Sequence, residues 1–471
     1  MTTLISGGTV VSATGRALCD VLIDGETIAA IIRPGDTSLG SDLAASADKV
    51  IDASGKYVIP GGIDAHTHME MPFGGTVAAD TFETGTRAAA WGGTTTIIDF
   101  VVQSKGSRVK ESLEEWHRKA EGESAIDYAF HQILGDIDGQ SLAELRSLPR
   151  EGVTSFKMFT AYPGVFYSTD DEIFKAMQIA ADEGMLPMMH AENGPVIDVI
   201  AEQLVKEGKT SPYYHGVARP WEMEEEATHR AIMLSRVAHA PIYIVHITAK
   251  QAMRQVQAAR DEGLNVFGES CPQYLYQSLE DQLGAPGFEG AKYVCSPPLR
   301  SRKEAHQDDL WMALRTNDIS VVATDHCPFC MKQKQMGLND FRKIPNGMAV
   351  VEHRMDLMYL GTLSGKISLE RWVEVTSSTP ARMFGLYGKK GVLAPGADAD
   401  VVVYDPAGHT KIGVGDTHHM NTDYSDFEGW EIDGHVDTVL SRGKVVVDQT
   451  GYVGRKSDGR FVPCSQSQYL L

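Results

Sequence analysis

The sequence predicts an α/β protein: a (β/α)8 TIM-type barrel with a smaller β-sandwich domain built from both chain ends. Three observations carry this. Short apolar runs alternate with amphipathic helical stretches eight times between about residue 56 and residue 385. The runs are apolar throughout, as in strands buried on both faces of a parallel sheet. The two chain ends share a different texture, short alternating strands punctuated by glycine and aspartate.

The first segment, 1–55, contains "TLISGGTVVSA" and "CDVLIDGETIAAII", which read as hairpin strands. The same pattern returns in 386–450 as "ADADVVVYD" and "VDTVLSRGKVVVD". Neither piece makes a stable sheet alone, so both belong to one small domain with the barrel, 56–385, inserted between them. The barrel strands are "KYVIPGGIDAH", "GGTTTIIDFV", "IDYAFHQIL", "VTSFKMFT", "MLPMMHAE", "APIYIVHIT", "LNVFGESC" and "ISVVATDH". Stretches such as "DDEIFKAMQIAADEG" and "AKQAMRQVQAARDEG" have helical apolar spacing and a glycine stop. The tail, 451–471, is polar with scattered aromatics and is a candidate subunit contact.

Bulk composition excludes several classes. Hydrophobic residues make up 42% and charged residues 23%, the balance of a soluble globular chain. A formal charge of −20 disfavours nucleic acid and anionic membranes as partners. The opening "MTTLISGGTVV" lacks the basic and apolar regions of a secretory signal, and no run is long enough to span a membrane. The six cysteines are scattered, which suggests reduced thiols in the cytoplasm. Cys327 and Cys330 form a lone C-x-x-C without the second pair a structural zinc site wants, and they read as loop thiols.

The chemistry begins in "YVIPGGIDAHTHMEMPFGG". Side chains two apart on a strand point the same way, so His66 and His68 can face one point at the barrel mouth. Alone, such a pair would most simply be two hydrogen-bonded histidines. Its company changes the reading. His190, His246 and Asp325 also sit at the C-terminal ends of predicted strands, the catalytic face of such barrels. Burying these groups without a common partner would cost several kcal/mol each. A metal centre removes that penalty, and imidazole with carboxylate suits zinc, manganese or iron. Lys157 interrupts the apolar strand "TSFKMFT". Desolvation and a nearby cation both favour its neutral amine, which can add carbon dioxide and become an anionic, two-oxygen carbamate. The alternative is a buried lysine paired with Asp99 or Glu192.

The set H-x-H, "SFKMFTAY", "HAEN", "VHIT", "VCSPPLR", "TDHCPF" and "IPNG" closely resembles the cyclic amidohydrolases, in particular dihydropyrimidinases and hydantoinases. The resemblance covers nearly the whole chain. It implies a binuclear metal centre, usually two Zn2+ per subunit, with His66, His68 and Asp325 on one ion and His190 and His246 on the other. Lys157, as N6-carboxylysine, and a hydroxide would bridge them. Asp325 would move the proton, and Tyr162 would donate to the developing oxyanion. Backbone groups beside Ser296 and Asn346 would meet the imide edge of the substrate, and Phe73, Phe159 and Phe166 would line the pocket for the ring substituent. The implied reaction is reversible, metal-dependent opening of dihydropyrimidines such as dihydrouracil, or of 5-substituted hydantoins, to N-carbamoyl amino acids. The family's setting is pyrimidine catabolism, and its members are commonly homotetramers or dimers.

Two related enzymes are the alternatives, allantoinase and dihydroorotase. Dihydroorotases typically place arginine two positions after the second histidine, and Glu70 stands there instead. A carboxylate is a poor neighbour for an acidic substrate. A remote alternative is a non-enzymatic scaffold relative. Such proteins typically lose metal ligands, and this chain keeps all six.

Overall fold

The computed structural model describes residues 1–33 and 46–470. Eight strands form the barrel: β1 Gly62–Thr67, β2 Thr94–Val102, β3 Asp127–Ile133, β4 Ser155–Phe159, β5 Leu186–His190, β6 Ile242–Ile244, β7 Val266–Ser270 and β8 Val321–Val322. They pair in chain order, and every neighbouring pair is parallel. The seam between β8 and β1 is closed by the backbone of His326. Its N–H donates to His66 O at 3.3 Å, and its carbonyl accepts from His68 N at 2.9 Å. Every residue of the eight strands is buried, which is why their sequences read as predominantly apolar runs in which a charged residue stands out.

Each predicted run contains one barrel strand, but the first run divides. Tyr57–Pro60 joins the end sheet, antiparallel to Val401–Lys411, and β1 starts only at Gly62. Glycine makes the crossing feasible, because a Cβ at Gly61 would collide with the Thr95 side chain.

The outer helices follow their local signals. Helix Asp170–Glu183 starts at a capping box between Thr169 and Glu172 and stops at Gly184, whose φ is 67°. It buries Ile173, Ala176, Met177, Ile179 and Ala180. Burying a large aliphatic side chain contributes roughly 1.5–3 kcal/mol, more than the intrinsic propensity of any one residue.

Both chain ends supply one nine-stranded sheet. Thr2–Ser12 lies at its centre, paired with Gly15–Asp24 on one edge and with Lys49–Asp52 and Tyr57–Pro60 on the other. Ile28 and Leu440 come from strands far apart in the sheet order, yet they share one small core with Ile5, Val58 and Val401. The sheet therefore curls over its own interior.

One buried cation bolts this sheet to the barrel. Lys390 Nζ lies 2.6 Å from Asp127 at the start of β3, 2.9 Å from Asp398 and 2.7 Å from Asp400. Burial opposes the ammonium charge, but the three carboxylates outweigh it and raise the pKa. Lys390→Met is expected to cost about 3–5 kcal/mol, because it strands buried carboxylates without a partner. Urea unfolding monitored by circular dichroism measures this loss.

The tail packs on its own barrel. Val462 N–H donates to Tyr128 O at 2.8 Å, and Cys464 N–H to Gly152 O at 2.8 Å. The Phe461 ring stacks on Phe130 with centroids 5.5 Å apart. Among the described residues, no helix is long and apolar enough to cross a membrane.

Candidate metal centre

The C-terminal ends of the strands converge as the period-two argument expects, with help from Asp99. This carboxylate near the end of β2 accepts from Thr67 Oγ1 and Met69 N, both at 2.8 Å, and from Trp116 Nε1 at 3.0 Å. It pins the backbone that carries the two histidines. Phe100, the next residue, lies against both imidazoles, with centroids 4.7 Å from His66 and 5.1 Å from His68.

His66 Nε2 and His68 Nε2 each lie 3.2 Å from Asp325 Oδ1. His66, His68 and Asp325 each offer a ligand atom, all within 4.8 Å of one another. Such a donor set suits a divalent cation. His246 adjoins both His66 and His190, at centroid distances of 5.4 Å and 4.6 Å. Its Nδ1 is buried without a hydrogen-bond partner, an unmet demand of the kind that metal ligation satisfies. His190 directs Nε2 to Glu192 at 2.8 Å.

Lys157 is buried among these groups. Its Nζ lies 2.8 Å from His66 Nε2, and among the described residues it has no carboxylate within ion-pair distance. Asp99 and Glu192, the candidate partners, are engaged elsewhere. Burial brings the Lys157 ammonium down to about 8, against the pull of Asp325 and Glu269. Burial also lowers the pKa of His66, His68, His190 and His246, so the imidazoles are held neutral, the form that binds metal. For Asp325 burial opposes ionisation, but the His68 hydrogen bond and the neighbouring His246 and Lys157 side chains prevail and lower its pKa.

Backbone strain marks the same place. Tyr162, His246 and Asp325 have φ values of 60°, 40° and 52°, in the left-handed region that non-glycine residues seldom occupy. The turn at each position aims its side chain into the barrel mouth, where all three line one pocket. The pocket also takes in Phe73, Phe159, Phe166, Ser296 and Asn346. Phe159 and Phe166 stack at 5.0 Å, and the Tyr162 ring meets Phe73 edge-on at 5.3 Å. Asn346 Nδ2 donates to Ser296 Oγ at 3.0 Å. Cys327, read as a loop thiol, is buried and lines this pocket too.

The Amidohydrolase family profile matches residues 57–446. The chain belongs to the amidohydrolase family. It is 58% identical to the D-hydantoinase of Streptomyces coelicolor over 469 residues, 99% of each chain. It is 46% identical to the D-hydantoinase of Geobacillus stearothermophilus, over 98% of this chain and 96% of the relative. The crystal structure of dihydropyrimidinase from Brevibacillus agri superimposes with a TM-score of 0.95 at 47% identity, covering 99% of both chains.

Two groups of this amidohydrolase site escaped the sequence reading. Glu269, in β7, takes His66 Nδ1 at 2.6 Å, the Tyr243 hydroxyl at 3.0 Å and the His246 amide at 3.1 Å. It orients two candidate ligands, as a carboxylate behind a metal-binding imidazole does. Burial raises its pKa to about 8. Its signal was present, since a carboxylate interrupts the buried strand "VFGES" as the amine of Lys157 interrupts its own. Arg219 donates to Glu192 at 3.0 Å and lies 5.8 Å from the Tyr162 ring centroid. It comes from the loop before helix Trp221–Ala238, and nothing in the local sequence distinguishes it from a surface arginine.

Proposed function

We propose that this chain opens the ring of cyclic amides, 5-substituted hydantoins or dihydropyrimidines, by metal-dependent reversible hydrolysis to N-carbamoyl amino acids. The observation that carries the reading is Lys157: an amine buried against an imidazole, with no carboxylate, among four neutral histidines and an aspartate. An ammonium fits that place poorly. A carbamate on Nζ fits it well, as an anion shared by two cations. His66, His68 and Asp325 would hold one ion, His190 and His246 the other, and carboxylated Lys157 both. Zn2+ is the ion the imidazole-rich set favours. When bound, such a pair supplies a nucleophilic hydroxide near neutral pH and polarises the amide carbonyl.

The remaining steps belong to side chains of this chain. Asp325 directs Oδ1 to the two histidines, which leaves Oδ2 to take the proton of the attacking water and return it to the departing ring nitrogen. Desolvation pushes the Tyr162 phenol up to about 12, so it stays a donor at working pH and serves the oxygen that gains charge. The Ser296 and Asn346 loops meet the N–H and C=O edge of the ring. Phe73, Phe159 and Phe166 take the substituent, and their stacked faces suit an aryl group.

Acidic rings are disfavoured. Among the described residues no arginine lines the inner pocket around the histidines; Arg219 and Arg342 line its outer continuation, where Arg219 is paired with Glu192. Glu70, at the position that suggested this, turns away and accepts the Phe82 amide at 3.3 Å. The names of the curated relatives add the D-enantiomer to the proposal. All six cysteines are free, which fits a reducing cytoplasm. A homotetramer is the expected assembly.

A substrate panel tests the reading: dihydrouracil, dihydrothymine, hydantoin, both 5-phenylhydantoin enantiomers, allantoin and dihydroorotate. Turnover confined to the last two would overturn it. Tyr162→Phe should lower turnover by about 10²–10³-fold with metal content retained. Unchanged turnover in a stopped assay of N-carbamoyl product would remove the phenol from the mechanism.

A further inference from the structure

Besides Lys157 and Lys390, a third lysine is buried, and the metal centre leaves it unexplained. Lys334 closes the short helix Met331–Lys334, in the loop that follows Asp325. Its Nζ donates to three backbone carbonyls: Val294 at 3.1 Å, Pro345 at 2.9 Å and Gly347 at 2.8 Å. An ammonium has three N–H donors, and all three are used.

The identity of those carbonyls is informative. Val294 lies two residues before Ser296, and Pro345 and Gly347 flank Asn346. Two further bonds tie the same segments together: Gly347 N–H to Val294 O at 2.9 Å, and Asn346 Nδ2 to Ser296 Oγ at 3.0 Å. Gly347 has φ 154°, and a Cβ there would collide with the carbonyl of Cys327, so the loop lies tightly on the segment after Asp325. Burying an ammonium is expensive, and a methionine would fill the same volume without that cost. Unlike methionine, the ammonium fixes three carbonyls from two loops at one point. Burial brings the Lys334 ammonium down to about 8, against the pull of Asp426, a buried carboxyl that also accepts the Ala349 amide at 2.5 Å.

We propose that Lys334 is a positioning residue: its ammonium clamps the Ser296 and Asn346 loops at the spacing that reads the amide edge of the substrate ring, and couples that spacing to the loop carrying Asp325. The clamp rests on the reading that these two loops meet substrate. It touches no candidate metal ligand, so its loss should separate substrate affinity from metal loading.

Lys334→Met keeps the stem and removes every donor, and Lys334→Gln keeps two of the three N–H donors, uncharged and on a shorter stem. With 5-phenylhydantoin, Lys334→Met should raise KM by about tenfold or more, with kcat changed less and metal content equal to that of the parent. Lys334→Gln should fall between the two. A folded variant with KM within about twofold of the parent overturns the proposal, as does a parallel loss of metal. If neither variant folds, hydrogen exchange on the unsubstituted protein decides. The clamp requires the amides of Gly347 and Ala349 to exchange as slowly as those of the barrel strands, and exchange at the rate of exposed loops overturns it. A parent without hydantoinase activity would defeat the functional reading alone, and the exchange measurement would still judge the clamp.

Discussion

Lys157→Ala should abolish turnover and reduce metal content from about two ions per chain to one or fewer. The reasoning is geometric. Lys157 Nζ lies 2.8 Å from His66 Nε2, on the floor of the pocket that His190 and His246 also line. Removing it deletes the group proposed to serve both candidate ion positions. It also leaves His66, His68 and Asp325 on one side, and His190 and His246 on the other, without the anion proposed to link them. The barrel should survive, because alanine leaves a cavity in a β4 that is otherwise apolar or small. Metal analysis of the purified variant, beside a hydantoin assay, reads both effects. Two further outcomes bear on the carbamate. A small carboxylate such as acetate or propionate should partly restore activity to the variant, because it replaces the missing anion. Full activity with two ions bound to the unrescued variant would eliminate the bridging role.

Asp325→Asn carries the second large effect, a loss of about 10²–10⁴-fold in kcat. Asparagine is nearly isosteric and tolerates the left-handed backbone that Asp325 occupies at φ 52°. The substitution therefore isolates chemistry from folding. The amide oxygen can still face His66 and His68, so part of the metal should remain, but it cannot take up a proton. Single-turnover kinetics with metal-saturated enzyme make the measurement. A variant that keeps kcat while losing only metal affinity would show that the proton moves through another group.

The eight barrel strands could be read from sequence because each lies entirely inside the protein, and complete burial leaves a largely apolar run with few charges. Polar interruptions of such runs then stand out, which is how Lys157 announced itself. Glu269 interrupts its strand in the same way and was passed over, because no ligand motif surrounds it. The division of the first run at Gly61 was not visible, since Tyr57–Pro60 and β1 are equally apolar and only their partners differ. Lys334 looks like a surface lysine beside Lys332. Its burial arises from segments forty residues before it and a dozen after it.

Periodicity and residue chemistry were enough to establish a parallel barrel, its catalytic end and the side chains gathered there, because burial and strand alternation act over a few neighbouring residues. Folding settled the rest. It turned Tyr162, His246 and Asp325 through left-handed backbone, aimed Glu269 at His66, sent Glu70 away from the pocket and drew three carbonyls around one ammonium. Those arrangements depend on contacts between residues remote in the chain, where distance and direction rather than residue type set the energy.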